Sequence, residues 1–329
     1  MSLLAPTLQR FFTERLVRQR QASPATVGSY RDSLRLLLGF VTARTGKAAS
    51  ALGFDDFDAG TISAFLTHLE DDRGNTARTR NNRLAAVRAF FGYAALRHPE
   101  HAELIARVLA IPQKRHDKAI ITFLTYDEAQ VLLAAPDPSR WEGRRDRALL
   151  AVIVQTGLRL AELTGLNCGD VTLGAGAHLS CTGKGRKQRI VPLTTNTVAV
   201  LRTWTRERSG LATDPLFPTR TGRRLSPDAV QRRVALHVGA ARCHCPSLAR
   251  KNVTPHVLRH TTAMALLQAG VDVAVIALWL GHEDLRSTQA YIHADLTIKE
   301  RALARTTPAS AKPGRFRPSD PLLAFLESL

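Results

Sequence analysis

The segment His256-Val257-Leu258-Arg259-His260 follows Thr254-Pro255 and packs two imidazoles and a guanidinium into little more than one helical turn. On a helix His256 and Arg259 stand three apart and share a face, so an imidazole and a guanidinium can converge on one anion. His256 and His260, four apart, also have the spacing of a two-histidine metal site. The position where a zinc peptidase carries its glutamate is Val257, which argues against a peptidase. Upstream, Arg159 lies at the end of the apolar run Leu149 to Val154, three residues before Glu162. By itself that arginine reads as half of an ion pair. Lys184 occupies a Gly-Lys-Gly tip whose glycines allow close backbone approach to a ligand and let the ammonium swing. It is not a nucleotide-binding loop, because the earlier glycine and the following Ser or Thr are absent. Leu280-Gly281-His282 ends one helix, and Thr288-Gln289-Ala290-Tyr291 begins the next. Tyr291 alone is most simply a half-buried packing residue. The specific signal is the ordered set Arg159, Lys184, His256, Arg259, His282 and Tyr291.

The elements that must position this set follow from periodicity. From Leu8 to about His98 apolar residues recur at helical spacing with no strand signal. Ser23-Pro24 opens a helix carrying Thr26, Tyr30, Arg31 and Arg35. After Gly74 a second helix has a basic face with Arg78, Arg80, Asn81 and Arg83, and an apolar face with Leu84, Val87, Phe90 and Phe91. Thr and Asn interleaved with Arg suit phosphates and base edges. Pro112 to Thr122 lacks periodicity and reads as a linker. Thr125 with Glu128 forms a capping box that starts a second domain. Val171-Thr172-Leu173, Leu179-Ser180-Cys181 and Arg189-Ile190-Val191-Pro192-Leu193 predict a small antiparallel sheet with a basic turn holding Arg186 and Lys187. Helical spacing resumes from Thr195 to Arg305, with Gly270 and Gly281 as stops.

The chain of 329 residues carries 46 Lys and Arg against 28 Asp and Glu, a formal charge of +18, so it attracts polyanions, with nucleic acid first among them. No apolar run reaches the roughly 20 residues that cross a bilayer, and no secretory signal core is visible, so a cytoplasmic, nucleoid-associated protein is expected. Cys168, Cys181, Cys243 and Cys245 do not form a disulfide framework, and the sulfurs of Cys243-His244-Cys245 are too close in sequence for the usual zinc pair.

The ordered set, in its motifs Arg144 to Leu150 leading into Thr156-Gly157-Leu158-Arg159, Gly183-Lys184-Gly185 before Val191-Pro192-Leu193, His256 to Thr261, Leu280-Gly281-His282 and Thr288 to Tyr291, resembles the active site of the tyrosine recombinases, the lambda integrase family, Xer-like members included. Arg83 to Phe91 resembles the last helix of that family's helical core-binding domain. The resemblance covers most of the chain and shows no departure at the six positions. It implies a mainly α fold with a small antiparallel β-sheet in the catalytic domain, arranged as a two-domain clamp on double-stranded DNA. The expected boundaries are 1–111 for the helical core-binding (SAM-like) domain, 112–122 for the linker, 123–307 for the catalytic domain and 308–329 for a flexible tail. Leu322 to Leu326 of that tail would dock on an adjacent protomer of a tetramer.

The resemblance further implies that Tyr291 attacks a DNA phosphate to give a 3′-phosphotyrosine, and that strand exchange passes through a Holliday junction. A free tyrosine of pKa about 10 is only about 0.1% ionised at neutral pH, so a base and a positive site are required. His256 is the candidate base. Arg159 and Arg259 clamp the non-bridging oxygens, Lys184 protonates the departing 5′ oxygen and His282 hydrogen-bonds the phosphate. Glu162 supports Arg159, and His260 packs or orients its neighbours. Thr26, Tyr30, Arg31, Arg35, Arg78, Arg80, Asn81, Arg83, Arg186 and Lys187 are expected to bind DNA. No metal or nucleotide cofactor is implied. The rival readings are a type IB topoisomerase, a non-catalytic accessory DNA-binding relative, and a metal hydrolase built on His256, His260, His282 and His293. The proline-containing tail inclines the role toward a mobile element.

Overall fold

The computed structural model describes residues 4–115, 121–183 and 187–282, together with Thr288 and Tyr291. Packing divides the chain into two units, Met1–Ala119 and Ile120–Leu329. The expected tail docking segment lies outside the described residues.

The first unit is helical throughout its described part. Helix α1 (Leu4–Arg10) runs on into a wider π-helical stretch, Phe11–Gln19, and is followed by α2 (Pro24–Thr45), α3 (Ala59–Asp71), α4 (Ala77–Ala95) and α5 (Ala102–Ala110). Three of these starts, those of α2, α3 and α4, have a local cause. Ser23 accepts from the Thr26 amide with Pro24 in the first turn, Asp58 accepts from Thr61, and Thr76 from Thr79. The apolar stripes close over an aromatic core in which Phe11 meets Phe90 edge-on at 5.6 Å and Phe90 meets Phe91 at 5.3 Å.

The basic face of α4 departs from expectation at two positions. Asn81 is buried, and its amide donates to the Lys114 carbonyl at 2.8 Å and accepts from the Lys114 amide at 3.0 Å. Arg80 donates to the Pro112 carbonyl at 3.1 Å. Residues 112–114, expected in the linker, are thus held against α4 much as a strand partner would be. With Arg80 Nη1 also donating to it at 3.1 Å, the Asn81 carbonyl oxygen already holds two hydrogen bonds within the protein.

In the second unit α6 (Tyr126–Ala134) starts at the anticipated Thr125–Glu128 capping box. Glu128 also accepts from Ser247 and from Lys251, each at 2.6 Å. Helix α7 (Trp141–Thr156) is buried on every side from Ala148 to Ile153, as an apolar helix at the centre of a core must be. The short α8 (Leu160–Gly165) leads to a three-stranded antiparallel sheet, β1 (Val171–Thr172), β2 (His178–Thr182) and β3 (Gln188–Pro192), in that order. Helices α9 (Thr195–Arg208), α10 (Pro227–Arg242), α11 (Pro255–Gln268) and α12 (Val273–Leu280) complete the described part. The three strands fall where alternation placed them. Asp146 of α7, fully buried, accepts from its neighbour Arg145 at 2.8 and 3.0 Å and from Arg233 and His237 of α10 at 2.5 and 2.8 Å, a brace between two core helices. Among the described residues no helix is long and apolar enough to cross a membrane.

Replacing Asn81 removes three hydrogen bonds, two with Lys114 and one from Arg80, and leaves the Lys114 amide without its acceptor, at a cost of about 1–3 kcal/mol. In Asn81→Ala, hydrogen exchange at the Lys114 amide is expected to accelerate tenfold or more on this scale, roughly tenfold per 1.4 kcal/mol. Unchanged protection would show that Asn81 does not hold the segment.

Candidate active site

The site is built around the end of α12. A helix leaves its last carbonyls without intrahelical donors, and its C-terminal dipole favours cations. Here three consecutive carbonyls each receive an arginine. Arg189 Nε donates to Trp279 O at 3.1 Å, Arg259 Nη2 to Leu280 O at 2.7 Å and Arg159 Nη2 to Gly281 O at 2.6 Å. Gly281, left-handed at φ 65°, turns the chain at the cap and delivers His282 beside these cations.

Each arginine has a second anchor. Arg259, on α11 and 4% exposed, donates through Nη1 to the Gly157 carbonyl at 2.6 Å. Gly157 is the left-handed cap of α7 at φ 62°, and a Cβ there would stand 2.7 Å from Leu280 Cδ2 and 3.1 Å from Thr262, so this junction admits only glycine. Arg159, at the start of α8, places its amide 2.8 Å from Glu162 Oε2 and its Nη1 2.8 Å from Glu162 Oε1. Arg189, on β3, donates to the same two oxygens at 2.9 and 2.7 Å. Burial pushes the Glu162 carboxyl up, but Arg189 and the Arg159 amide hold it below the usual carboxylate range. Burial, with Arg159 nearby, lowers Arg259 to about 10, so it stays charged at neutral pH.

Tyr291 is 3% exposed, seated in a small core with Ala263, Met264, Ile276 and Leu280, against which Ile121 and Phe123 also pack. Its hydroxyl lies 3.0 Å from Nδ1 of His260. Burial raises the phenol, and Arg259 lowers it only in part. The His282 ring stacks nearly parallel to the Tyr291 ring, 6.3 Å between centroids and 10° apart, and its Nδ1 lies 2.7 Å from Thr288 Oγ1. His256 is exposed in the first turn of α11, its ring edge-on to His260 at 4.2 Å. Burial first, then neighbouring positive groups, brings His260 and His282 each down to about 4. Both imidazoles are therefore neutral at pH 7.

Arg159, His256, Arg259, His282 and Tyr291 thus gather in one place, with Glu162 and His260 bonded to members of the set. Lys184 and Arg186 lie outside the described residues, as does His293. On either side of Lys184 and Arg186 the Gly183 amide donates to the Lys187 carbonyl at 2.8 Å. Sequence reasoning missed Arg189. Its alternation was legible: on β3 the inward register holds Arg189 and Val191, and an inward arginine requires a carboxylate. Of the expected DNA-contacting residues in the first unit, Arg31, Arg35 and Arg78 are exposed, Arg31 paired with Asp32 at 3.0 Å. Arg83 is half-buried, Tyr30 stacks on Phe11 at 6.3 Å, and the Thr26 hydroxyl bonds to Ser23 at 2.9 Å. Among the described residues no group of three or more His, Cys, Asp or Glu is arranged to hold a metal ion.

A helical unit followed by a helical unit with a small antiparallel sheet, bearing an arginine-lined tyrosine, defines a class that comparison with known proteins identifies. The phage integrase family matches residues 122–297, and the N-terminal SAM-like domain of phage integrases matches residues 9–98. The chain belongs to the phage integrase family and is a tyrosine recombinase, an enzyme of site-specific recombination. It is 54% identical over 326 residues, 99% of this chain and 98% of the relative, to a Sinorhizobium fredii protein bearing the name integrase/recombinase y4rC. It is 35% identical over 288 residues, 87% of this chain and 90% of the relative, to tyrosine recombinase XerC of Pelobacter propionicus. Its fold is shared with XerH site-specific recombinase bound to palindromic difH substrate, at a TM-score of 0.71, 24% identity and coverage of 87% of this chain and 81% of that one.

The two depressed histidines give the fold a pH signature. Unfolded, each titrates at about 6.5, whereas folded His260 and His282 titrate at about 4. Above pH 6.5 both are neutral in either state and stability is fully present. As pH falls toward the folded value, the unfolded chain takes up protons that the fold refuses, and stability is lost. Melting temperature is expected to fall from pH 6.5 to about 5, above the range of the lowered carboxylates, and the fall should be shallower in His282→Gln. An identical slope in that variant would remove His282 as a cause.

Proposed function

We propose that this recombinase cuts and rejoins double-stranded DNA through Tyr291. Its hydroxyl oxygen attacks the scissile phosphorus, the bond to the 5′ oxygen breaks, and a 3′-phosphotyrosine forms. Arg159 and Arg259 neutralise the non-bridging oxygens as charge builds in the pentacovalent state. His282 donates a hydrogen bond to the phosphate, and Lys184 gives its proton to the departing 5′ oxygen. His256 takes the phenol proton; neutral His260 holds the hydroxyl in place until the phosphate arrives. A 5′ hydroxyl from a partner strand then attacks the phosphotyrosine and regenerates Tyr291. The step conserves the bond energy, so no nucleotide is consumed and no metal is needed.

The observation that carries this reading is the meeting of two anchored guanidinium groups, a neutral imidazole and a tyrosine at one helix end. A carboxylate-rich hydrolytic site would present the opposite charge. The two units, read as 1–111 and 123–307 joined by 112–122, would close around the duplex. Arg31, Arg35, Arg78, Arg83, Arg186 and Lys187 would meet phosphates, and four protomers would act on paired sites through a Holliday junction. The proline-containing stretch Pro308 to Pro318 inclines the role toward a mobile element.

The test uses a nicked suicide duplex selected from a random-sequence pool for covalent capture by the wild-type protein. An adduct is expected with wild type in the presence of chelator and none with Tyr291→Phe; an adduct that persists in Tyr291→Phe would falsify the assignment. Arg259→Ala is expected to slow adduct formation on the order of 100- to 1000-fold, as loss of one oxyanion donor does. Relaxation of supercoiled plasmid without a captured site would favour topoisomerase action instead.

A further inference from the structure

We infer that Arg189 is a positioning residue of the catalytic centre, holding the carboxylate that grips Arg159 and lying against the backbone that delivers His282, without touching DNA itself. The inference rests on the proposed reaction at Tyr291. Three of the five N–H groups of Arg189 are committed within the protein, two to Glu162 and one to Trp279 O. Its side chain is 12% exposed.

Three lines of geometry converge on it. Glu162 Oε1 receives Arg159 Nη1 and Arg189 Nη1, and Oε2 receives the Arg159 amide and Arg189 Nη2. The carboxylate is thus saturated by four donors, and Arg189 fixes the orientation in which it grips Arg159. A Cβ on Gly281, the residue before His282, would stand 2.8 Å from Arg189 Nη1. A Cβ on Gly183, the residue before Lys184, would stand 3.2 Å from Arg189 Nη1 and 3.0 Å from Glu162 Oε1. The planar guanidinium therefore lies under the backbone of Gly281, from which His282 departs and where a left-handed φ of 65° and this close approach favour glycine, and it also stands close to Gly183. A lysine could supply one charge but not the fork and the Nε bond together.

The experiment compares full-length wild type, Arg189→Gln and Arg189→Lys on the captured suicide duplex, at a temperature where circular dichroism shows each folded. Adduct formation at saturating protein is expected to slow about 10- to 100-fold in Arg189→Gln, the usual effect of losing a partner that orients a reacting group. DNA affinity by gel shift should be unchanged. A second duplex carries a methylphosphonate at the scissile position. That neutral linkage demands less positive charge, so a defect caused by a misplaced Arg159 should shrink there. If Arg189→Gln does not fold, Arg189→Lys is read the same way, with a smaller deficit expected. A wild-type rate in the variant, an equal deficit on both duplexes, or loss of DNA affinity in place of rate would each overturn the inference while leaving the Tyr291 reaction standing. Absence of any adduct with wild type would overturn that reaction and the inference with it.

Discussion

Three guanidinium groups on the terminal carbonyls of α12 are the interaction on which the catalytic unit depends. Like charges brought so close repel, and among the described residues bonded to them Glu162 is the one carboxylate. The arrangement holds because each cation satisfies an acceptor that the helix itself cannot, and because the dipole of the helix end is negative. Glu162 offsets one charge, leaving a net positive hollow beside His282 and Tyr291. That residual repulsion is the kind an incoming phosphate relieves. The same contacts tie α7, α8, α11, α12 and β3 into one body.

The state of the tyrosine fits this picture. Its ring belongs to a small apolar core, and burial disfavours its phenolate. Both imidazoles that touch or stack on it are neutral. A phenol held in an apolar seat does little chemistry by itself. Under the proposed reaction the missing ingredient is the substrate, whose phosphate brings the arginines into use and gives the phenol proton a reason to leave.

Much of this was legible in the sequence, and the limits are instructive. The Ser23-Pro24 start, the Thr125–Glu128 capping box and the three strands were readable because their causes are local, lying within a few residues. The gathered set Arg159, His256, Arg259, His282 and Tyr291 was readable because chemistry restricts residue type. What escaped was long-range and made with backbone. Asn81 looked like a groove-reading amide on a basic face, yet beside its neighbour Arg80 its partners are the main-chain groups of Lys114, which no side chain announces. Arg189 was read as a strand residue because its partners are Glu162, distant in sequence, and a carbonyl that any residue at 279 would supply. His260 was expected to pack or orient neighbours, but its hydrogen bond to the Tyr291 hydroxyl depends on how α11 meets a residue 31 positions away.

The docking of all three arginines on main-chain oxygens also shapes how this protein can change over generations. A carbonyl persists whatever side chain hangs beside it, so the exposed residues of α12 can drift with the local needs of packing or partners while the cations keep their moorings. Leu278, 76% exposed and one step from that cluster of acceptors, is free in this sense. The restriction falls instead on Gly157 and Gly281, where a single added methyl group would strike Leu280 or Arg189. The tolerant Leu278 and the constrained Gly281 stand three residues apart, so the surface of the helix can be retuned without renegotiating its end.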